Sequence, residues 1–213
     1  MVSRKIVAII FILALGISLA TAEEIRHHEF DTNDINRLSL DIRTGHIIVE
    51  HHDQQVISVE VRLSEENEGW FRRSPDLTNM DIRQSLRNSQ LTLSFDEKHV
   101  DTEWIIRIPS LEQFDLNLGV GAAELVMINT DITVNIGVGA VEMNLALARY
   151  GEIQMSTGVG DTAILGARST ESNRALVSSH ISGKGEGEYT VSANLGVGSA
   201  EVKLSQNTAA SRS

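Results

Sequence analysis

Asn117-Leu118-Gly119-Val120-Gly121 is written four times in this chain: it returns as Asn135-Ile136-Gly137-Val138-Gly139, as Ser156-Thr157-Gly158-Val159-Gly160 and as Asn194-Leu195-Gly196-Val197-Gly198. Around each copy the apolar residues alternate, step once by three at the Gly-Val-Gly, then alternate again. In the first copy the expected inward set is Leu116, Leu118 and Val120, then Ala123, Leu125 and Met127. The second gives Val134, Ile136 and Val138, then Val141, Met143 and Leu145; the fourth gives Val191, Ala193, Leu195 and Val197, then Ala200, Val202 and Leu204. Period two marks a half-buried strand, because successive side chains point to opposite faces. A three-residue step swaps faces unless the backbone bulges or turns a corner, which glycine permits. Each copy therefore reads as two strands joined at a corner, with Gly119, Gly121, Gly137, Gly139, Gly158, Gly160, Gly196 and Gly198 as its structural glycines.

The first three pairs start at 119, 137 and 158, and the last at 196. Spacing of about 20 residues with β periodicity predicts a β-solenoid, in which no coil buries its apolar face alone and each stacks on the next. Turns at Asn129-Thr130-Asp131 and Arg149-Tyr150-Gly151 would instead make the same segments an antiparallel meander or sandwich. Both readings are all-β. The predicted organisation is a leader over 1–22, an N-terminal β region over 23–110 that acts as atypical coils or a cap, the Gly-Val-Gly region over 111–205, and a disordered tail over 206–213.

Residues 1–22 have the grammar of an export signal. Arg4 and Lys5 precede the uncharged run from Ile6 to Ala20, and Ala20-Thr21-Ala22 offers a small-x-small cleavage site. The run is short for a bilayer span, which needs about 20 residues; left uncleaved, it would act as an anchor. The reading is a periplasmic or secreted protein cut after Ala22, with no stable membrane insertion afterwards. There is no cysteine, so neither a disulfide nor a lipoprotein-type attachment is available. The net charge is −11, and loss of Arg4 and Lys5 makes it two units more negative. That balance argues against nucleic acid and anionic lipid as partners.

Between the leader and the repeat, His27 to Asn36 reads as irregular. Leu38 to Ile42, Ile47 to Val49 and Ile57 to Leu63 read as strands, the first two tied through Thr44-Gly45. Alternation weakens from Ser64 to Gln90, a stretch that holds Trp70-Phe71-Arg72-Arg73, an aromatic pair suited to anchoring a partner or to folding back over the domain. Leu91 to Phe95 and Trp104 to Ile108 resume strands. Ala167 to Arg174 is a polar excursion before the last copy.

Chemical signatures are sparse. Gly158-Val159-Gly160-Asp161-Thr162-Ala163 fits a dinucleotide fingerprint, which works only where a helix follows; here strand alternation follows. Glu124, Glu142 and Glu201 share one offset, and stacking would bring them within about 5 Å, as a solvated stripe or as a cation site. His27-His28, and His46 with His51-His52-Asp53, carry metal-ligating groups, but neighbours in a strand point opposite ways. No nucleophile elbow, HExxH or cysteine nucleophile is present. The expectation is therefore a non-enzymatic protein with no catalytic residues, cofactor or metal. A carbohydrate-active enzyme would instead need acids clustered on one coil face.

Ile105-Ile106-Arg107-Ile108-Pro109, Phe114 to Gly121 and the returning Gly-Val-Gly phrases resemble the bacterial "putative adhesin" family, exported proteins with a β-helix domain of unknown function. The resemblance runs from about Leu38 to Leu204, and Thr44-Gly45-His46-Ile47-Ile48-Val49 is similar to that family's strand-glycine-strand opening. It implies a stacked-coil fold in the bacterial envelope, with no catalytic residues to carry over. The function expected is a binding or adhesin-like module for another envelope protein or glycan. The alternative is an accessory or sensor protein of an envelope stress-response system. Mass spectrometry of the exported protein is expected to show a chain beginning at Glu23; a chain retaining Met1 would contradict the cleavage reading.

Overall fold

The computed structural model describes residues 23–65 and 75–206. The leader, the Trp70-Phe71-Arg72-Arg73 segment and the tail after residue 206 lie outside the described residues. Within them the chain is all-β apart from one 3₁₀ turn, Leu77–Asn79. The strands are β1 (Glu23–Asp31), β2 (Arg37–His51), β3 (Val56–Glu65), β4 (Arg83–Arg87), β5 (Gln90–Phe95), β6 (Val100–Ile108), β7 (Gln113–Val126), β8 (Asp131–Ala146), β9 (Tyr150–Leu165), β10 (Ser169–Ala175), β11 (Ser178–Lys184) and β12 (Tyr189–Ser205). They form one open mixed sheet, in the order β1-β3-β6-β2-β7-β8-β12-β9-β11-β10, with β5 and then β4 continuing from the first half of β2. No helix among the described residues is long and apolar enough to cross a membrane.

Five long strands carry the glycine corner, and they pair parallel with every corner aligned. Gly45 lies opposite Gly121, Gly121 opposite Gly139, Gly139 opposite Gly198, and Gly198 opposite Gly160. Antiparallel pairing is confined to the flanks, where β1, β3 and β6 stack on one side, β9, β11 and β10 on the other, and β4 on β5. The Asn129 to Asp131 turn thus joins strands that run parallel.

The last copy does not follow the third in space. β12 lies between β8 and β9, pairing in register with both. The chain leaves β8, skips one strand position to form β9, builds the β10–β11 hairpin beyond it, and returns to fill the gap. That hairpin accounts for the long spacing before Gly196. The polar excursion over Ala167 to Arg174 contains most of β10, whose backbone groups pair with β11. His27 to Asn36 likewise begins in strand: β1 runs to Asp31 and pairs with β3 throughout.

The core is aliphatic and continuous. It takes Leu38, Leu40 and Ile42 from β2, Phe114, Leu116 and Leu118 from β7, and their counterparts onward to Leu204, and it crosses residue 110 because β2 pairs with both β6 and β7. Tyr150 is buried with it. Its hydroxyl donates to the Ile128 carbonyl at 2.8 Å, with the Thr130 carbonyl at 3.2 Å, and burial pushes the phenol's pKa up.

The inward phase breaks at the corner more widely than the alternation suggests. Val120, Val138 and Val197, expected inside, are 45–49% exposed, and Val159 in the third copy is 48% exposed. After Leu118 the next buried residue of β7 is Ala123, so the turn at the second glycine carries the intervening valine to the outer apex. Valine suits that position because its β-branch favours extended backbone and each valine is partly covered by its in-register neighbours.

The second glycine of each pair allows the close approach. Gly139 has φ +152°, and a Cβ there would lie 1.7 Å from the Gly121 carbonyl oxygen. The same clash repeats at 1.6 Å for Gly198 against Gly139 and 1.8 Å for Gly160 against Gly198. Gly139→Ala is expected to cost about 3 kcal/mol or more in urea unfolding, since both the dihedral and the backbone contact forbid a side chain. Val138→Thr next to it should stay within about 0.5 kcal/mol, as an exposed substitution does. Equal losses from both variants would contradict this account of the corner.

Candidate functional site

In the first half of β7 and β8, residues at odd positions face outward, as do Asp41 and Arg43 of β2, opposite the buried apolar residues. Parallel registry converts equivalent positions into rows. Two residues before each glycine pair stand Asn117, Asn135, Asn194 and Ser156, on β7, β8, β12 and β9. Their side chains form one hydrogen-bonded ladder. The Asn135 amide donates to Asn117 Oδ1 at 3.1 Å, the Asn194 amide to Asn135 Oδ1 at 3.4 Å, and the Ser156 hydroxyl to Asn194 Oδ1 at 2.8 Å. Beside it runs a second polar row of Asp115, Thr133, Ser192 and Gln154.

The ladder borders a groove of about 830 Å³. Its floor is the row of first glycines Gly119, Gly137 and Gly196, and its end wall is Arg43, Arg83, Ser94 and Asp96. Arg43 and Asp96 form an ion pair across that wall. The arrangement offers amide donors and acceptors at strand spacing, about 4.8 Å, along bare backbone.

Gly119, Gly137, Gly158 and Gly196 are exposed, as strand phase implies. Packing nevertheless requires them. A Cβ on Gly137 would stand 2.5 Å from the Gly119 carbonyl oxygen, and one on Gly196 2.6 Å from that of Gly137. The strip is bare because each strand's backbone fits against the next. Gly121, Gly139, Gly160 and Gly198 lie at the corner itself.

The other sequence candidates separate. Glu124, Glu142 and Glu201 are in register as expected, but the row carries its own cation. Lys203 Nζ lies 2.7 Å from Glu142 Oε1 and 2.8 Å from Glu201 Oε1. The hydrogen bond from Lys203, with a second from Asn144, holds the Glu142 carboxyl below the usual carboxylate range, while the bonds to Glu142 and then Glu201 push the Lys203 ammonium upward. The histidine doublets divide between faces and partners. His27 Nδ1 lies 3.8 Å from Glu60, His28 Nε2 is 2.9 Å from Asp81, His51 is 3.4 Å from Asp53, and the His52 ring contacts the Val56 carbonyl at 2.6 Å. No group of three or more metal-ligating side chains forms among the described residues. The dinucleotide-like phrase at Gly158 lies inside β9, so no helix start faces it, and Asp161 pairs with Arg174 at 2.9 Å.

The fold and the groove define an all-β protein with a polar, ridged outer face. No family model matches the chain, and no curated protein matches it. Several solved structures are similar over most of its length. One is a "putative cell adhesion protein" from Clostridium sporogenes, at 14% identity and TM-score 0.47, covering 88% of this chain and all of that one. Another is a "putative adhesin" from Bacteroides fragilis, at 10% identity and TM-score 0.35, covering 86% and 99%. A third, a "putative adhesin" from Parabacteroides merdae, has 13% identity and TM-score 0.35, covering 86% and 78%. At these identities the functional case rests on the site's own geometry.

The carboxylate row generates a pH prediction. A carboxyl whose folded pKa is depressed contributes stability above its unfolded pKa and loses it as pH falls through the folded value. Lys203→Met should shift the Glu142 titration, followed by carboxyl NMR, upward toward the ordinary range, with the Asn144 hydrogen bond left in place. The stability difference from the parent should appear at neutral pH and vanish in acid. An unchanged Glu142 titration would contradict the role given to Lys203.

Proposed function

We propose that this chain is an exported, non-enzymatic binding module whose long strands form a stack of short coils, and that the groove along its asparagine ladder holds another component of the bacterial envelope, a glycan or a protein. The observation that carries the reading is the groove: about 830 Å³, open along its length, floored by bare backbone and lined with amides at one spacing. A regular row of donors and acceptors matches a ligand that is itself regular and rich in polar groups.

The coil reading is supported by distance. β7 and β8 are parallel, in-register neighbours, with Gln113 opposite Asp131. Residues 127–130 alone connect the end of one to the start of the other, and such a link spans at most about 18 Å. Straight, a strand of 14 residues would end about 45 Å from its start. The strand must therefore fold back at Gly119-Val120-Gly121, bringing its end near its beginning. The non-enzymatic reading is supported by Lys203, which pairs with Glu142 and Glu201, two of the three aligned glutamates.

A photoreactive residue at position 135 tests the groove in intact cells, with position 53 as the control. Asn135 lies in the ladder and tolerates a side chain, unlike the glycines beside it; Asp53 is fully exposed and outside the groove. Capture of an envelope protein or glycan from position 135 and not from 53 is expected. Equal capture from both, or none from a folded and abundant protein, would overturn the assignment.

A further inference from the structure

We propose that the pocket between the β4–β5 hairpin and the start of β2 binds a compact oxyanion: a carboxylate, sulfate or phosphate group. This pocket, of about 370 Å³, is lined by Arg37, Ser85, Arg87, Asn88, Gln90 and Thr92. Two guanidiniums, two hydroxyls and two amides meet there, and no carboxylate is among them.

The local fold brings them together. The β4–β5 connection is a two-residue turn with Asn88 at φ 49° and Ser89 at φ 61°, left-handed values that asparagine tolerates better than most residues. The Ser89 carbonyl then accepts from the backbone N–H of Asn36 at 3.0 Å and of Arg37 at 3.1 Å, pinning the hairpin to the first residues of β2. Arg37 and Arg87 both stand opposite Gln90, one from each side. Their side chains project from the same face of three adjacent strands, about 10 Å apart at the backbone, a separation two arginines can close on a shared ligand.

Charge provides the independent observation. Arg26, Arg43, Arg62, Arg107, Arg168 and Arg174 each rest on a carboxylate. Arg37, Arg83, Arg87 and Arg149 have no ion pair among the described residues, although the chain is strongly acidic, and of these four only Arg37 and Arg87 line this pocket. Arg37 Nε is also buried without a hydrogen-bond partner. An unsatisfied buried guanidinium N–H next to a second guanidinium is costly, and an oxyanion satisfies both through charge-assisted bonds. Arginine suits the task because its planar fork can grip two oxygens at once. Arg83, also unpaired and on the same face of β4, lines the neighbouring groove, so the pocket adjoins the end of that groove. The oxyanion is either a free ion or the charged group of an acidic polymer. The site does not depend on what the groove binds.

The test is calorimetric titration of the exported chain at low salt with inorganic phosphate, with an oligogalacturonate of defined length, and with a neutral galactose oligomer. At least one anionic probe should bind and the neutral oligomer should not. Arg87→Gln, an exposed change, should weaken binding at least about fivefold, and Arg37→Gln likewise if circular dichroism shows it folded. Arg149→Gln removes an equal charge elsewhere and should change affinity less than about twofold, as non-specific charge effects do. Tighter binding of the oligogalacturonate than of phosphate would identify a polymer's acidic group as the ligand; equal binding would identify a free anion. Failure of both anions to bind at about 10 mM would overturn the proposal. So would equal losses in Arg87→Gln and Arg149→Gln, or equal binding of the neutral oligomer.

Discussion

One contact governs this molecule: the carbonyl of one corner glycine against the bare α-carbon of the next. With a Cβ, Gly139 would stand 1.7 Å from the Gly121 oxygen and Gly198 1.6 Å from the Gly139 oxygen. Because the corner tolerates no side chain, every long strand must place its glycine at the same height, and a slip of one residue would put a valine where none fits. That fixes the register more strictly than apolar burial could, since the aliphatic rows on either side are chemically nearly interchangeable. Once register is fixed, equivalent positions must stack, so the asparagine ladder, the valine ridge and the glutamate row follow from the same constraint.

This explains both what the sequence made legible and what it concealed. Period-two alternation, the break in its phase at each glycine pair and the outward phase of Gly119 and its equivalents could be read from local spacing alone, although each copy is one continuous strand rather than two. The positions of the valines could not, because alternation says nothing about how far the backbone rotates where φ is positive; Val120 was expected inside and sits at the outer apex. Strand order was equally hidden. Nothing local in the sequence around Gly196 shows that β12 enters between β8 and β9, since its flanks match both neighbours equally well. The strand from His27 to Asp31 and all of β10 escape a sequence reading because polar edge strands lack the apolar alternation on which it depends; all seven residues of β10 are exposed.

The candidate site was partly visible. Asn117, Asn135 and Asn194 stand in the repeated phrase at a constant offset, and that recurrence was a usable signal for a ladder. The groove beside them was not readable, because its end wall comes from β2 and the β4–β5 hairpin, distant in sequence and without repeat character. The arginine pocket was still less so: Arg37 and Arg87 are separated by fifty residues and meet only because both oppose Gln90. The glutamate row shows the reverse case. Its alignment was predictable, whereas the bridging of Glu142 and Glu201 by Lys203 depends on a residue that only the last copy carries.

The most direct test of the central claim is a methyl NOE measurement on the exposed valines. Neighbouring parallel strands are about 4.8 Å apart and next-nearest ones about 10 Å, so only adjacent corners give strong cross-peaks. In-register stacking with the last copy inserted predicts Val138–Val197 and Val197–Val159 contacts, and none between Val138 and Val159. A direct Val138–Val159 cross-peak, with Val197 contacting only one of them, would mean that the corners stack in chain order and would contradict the account.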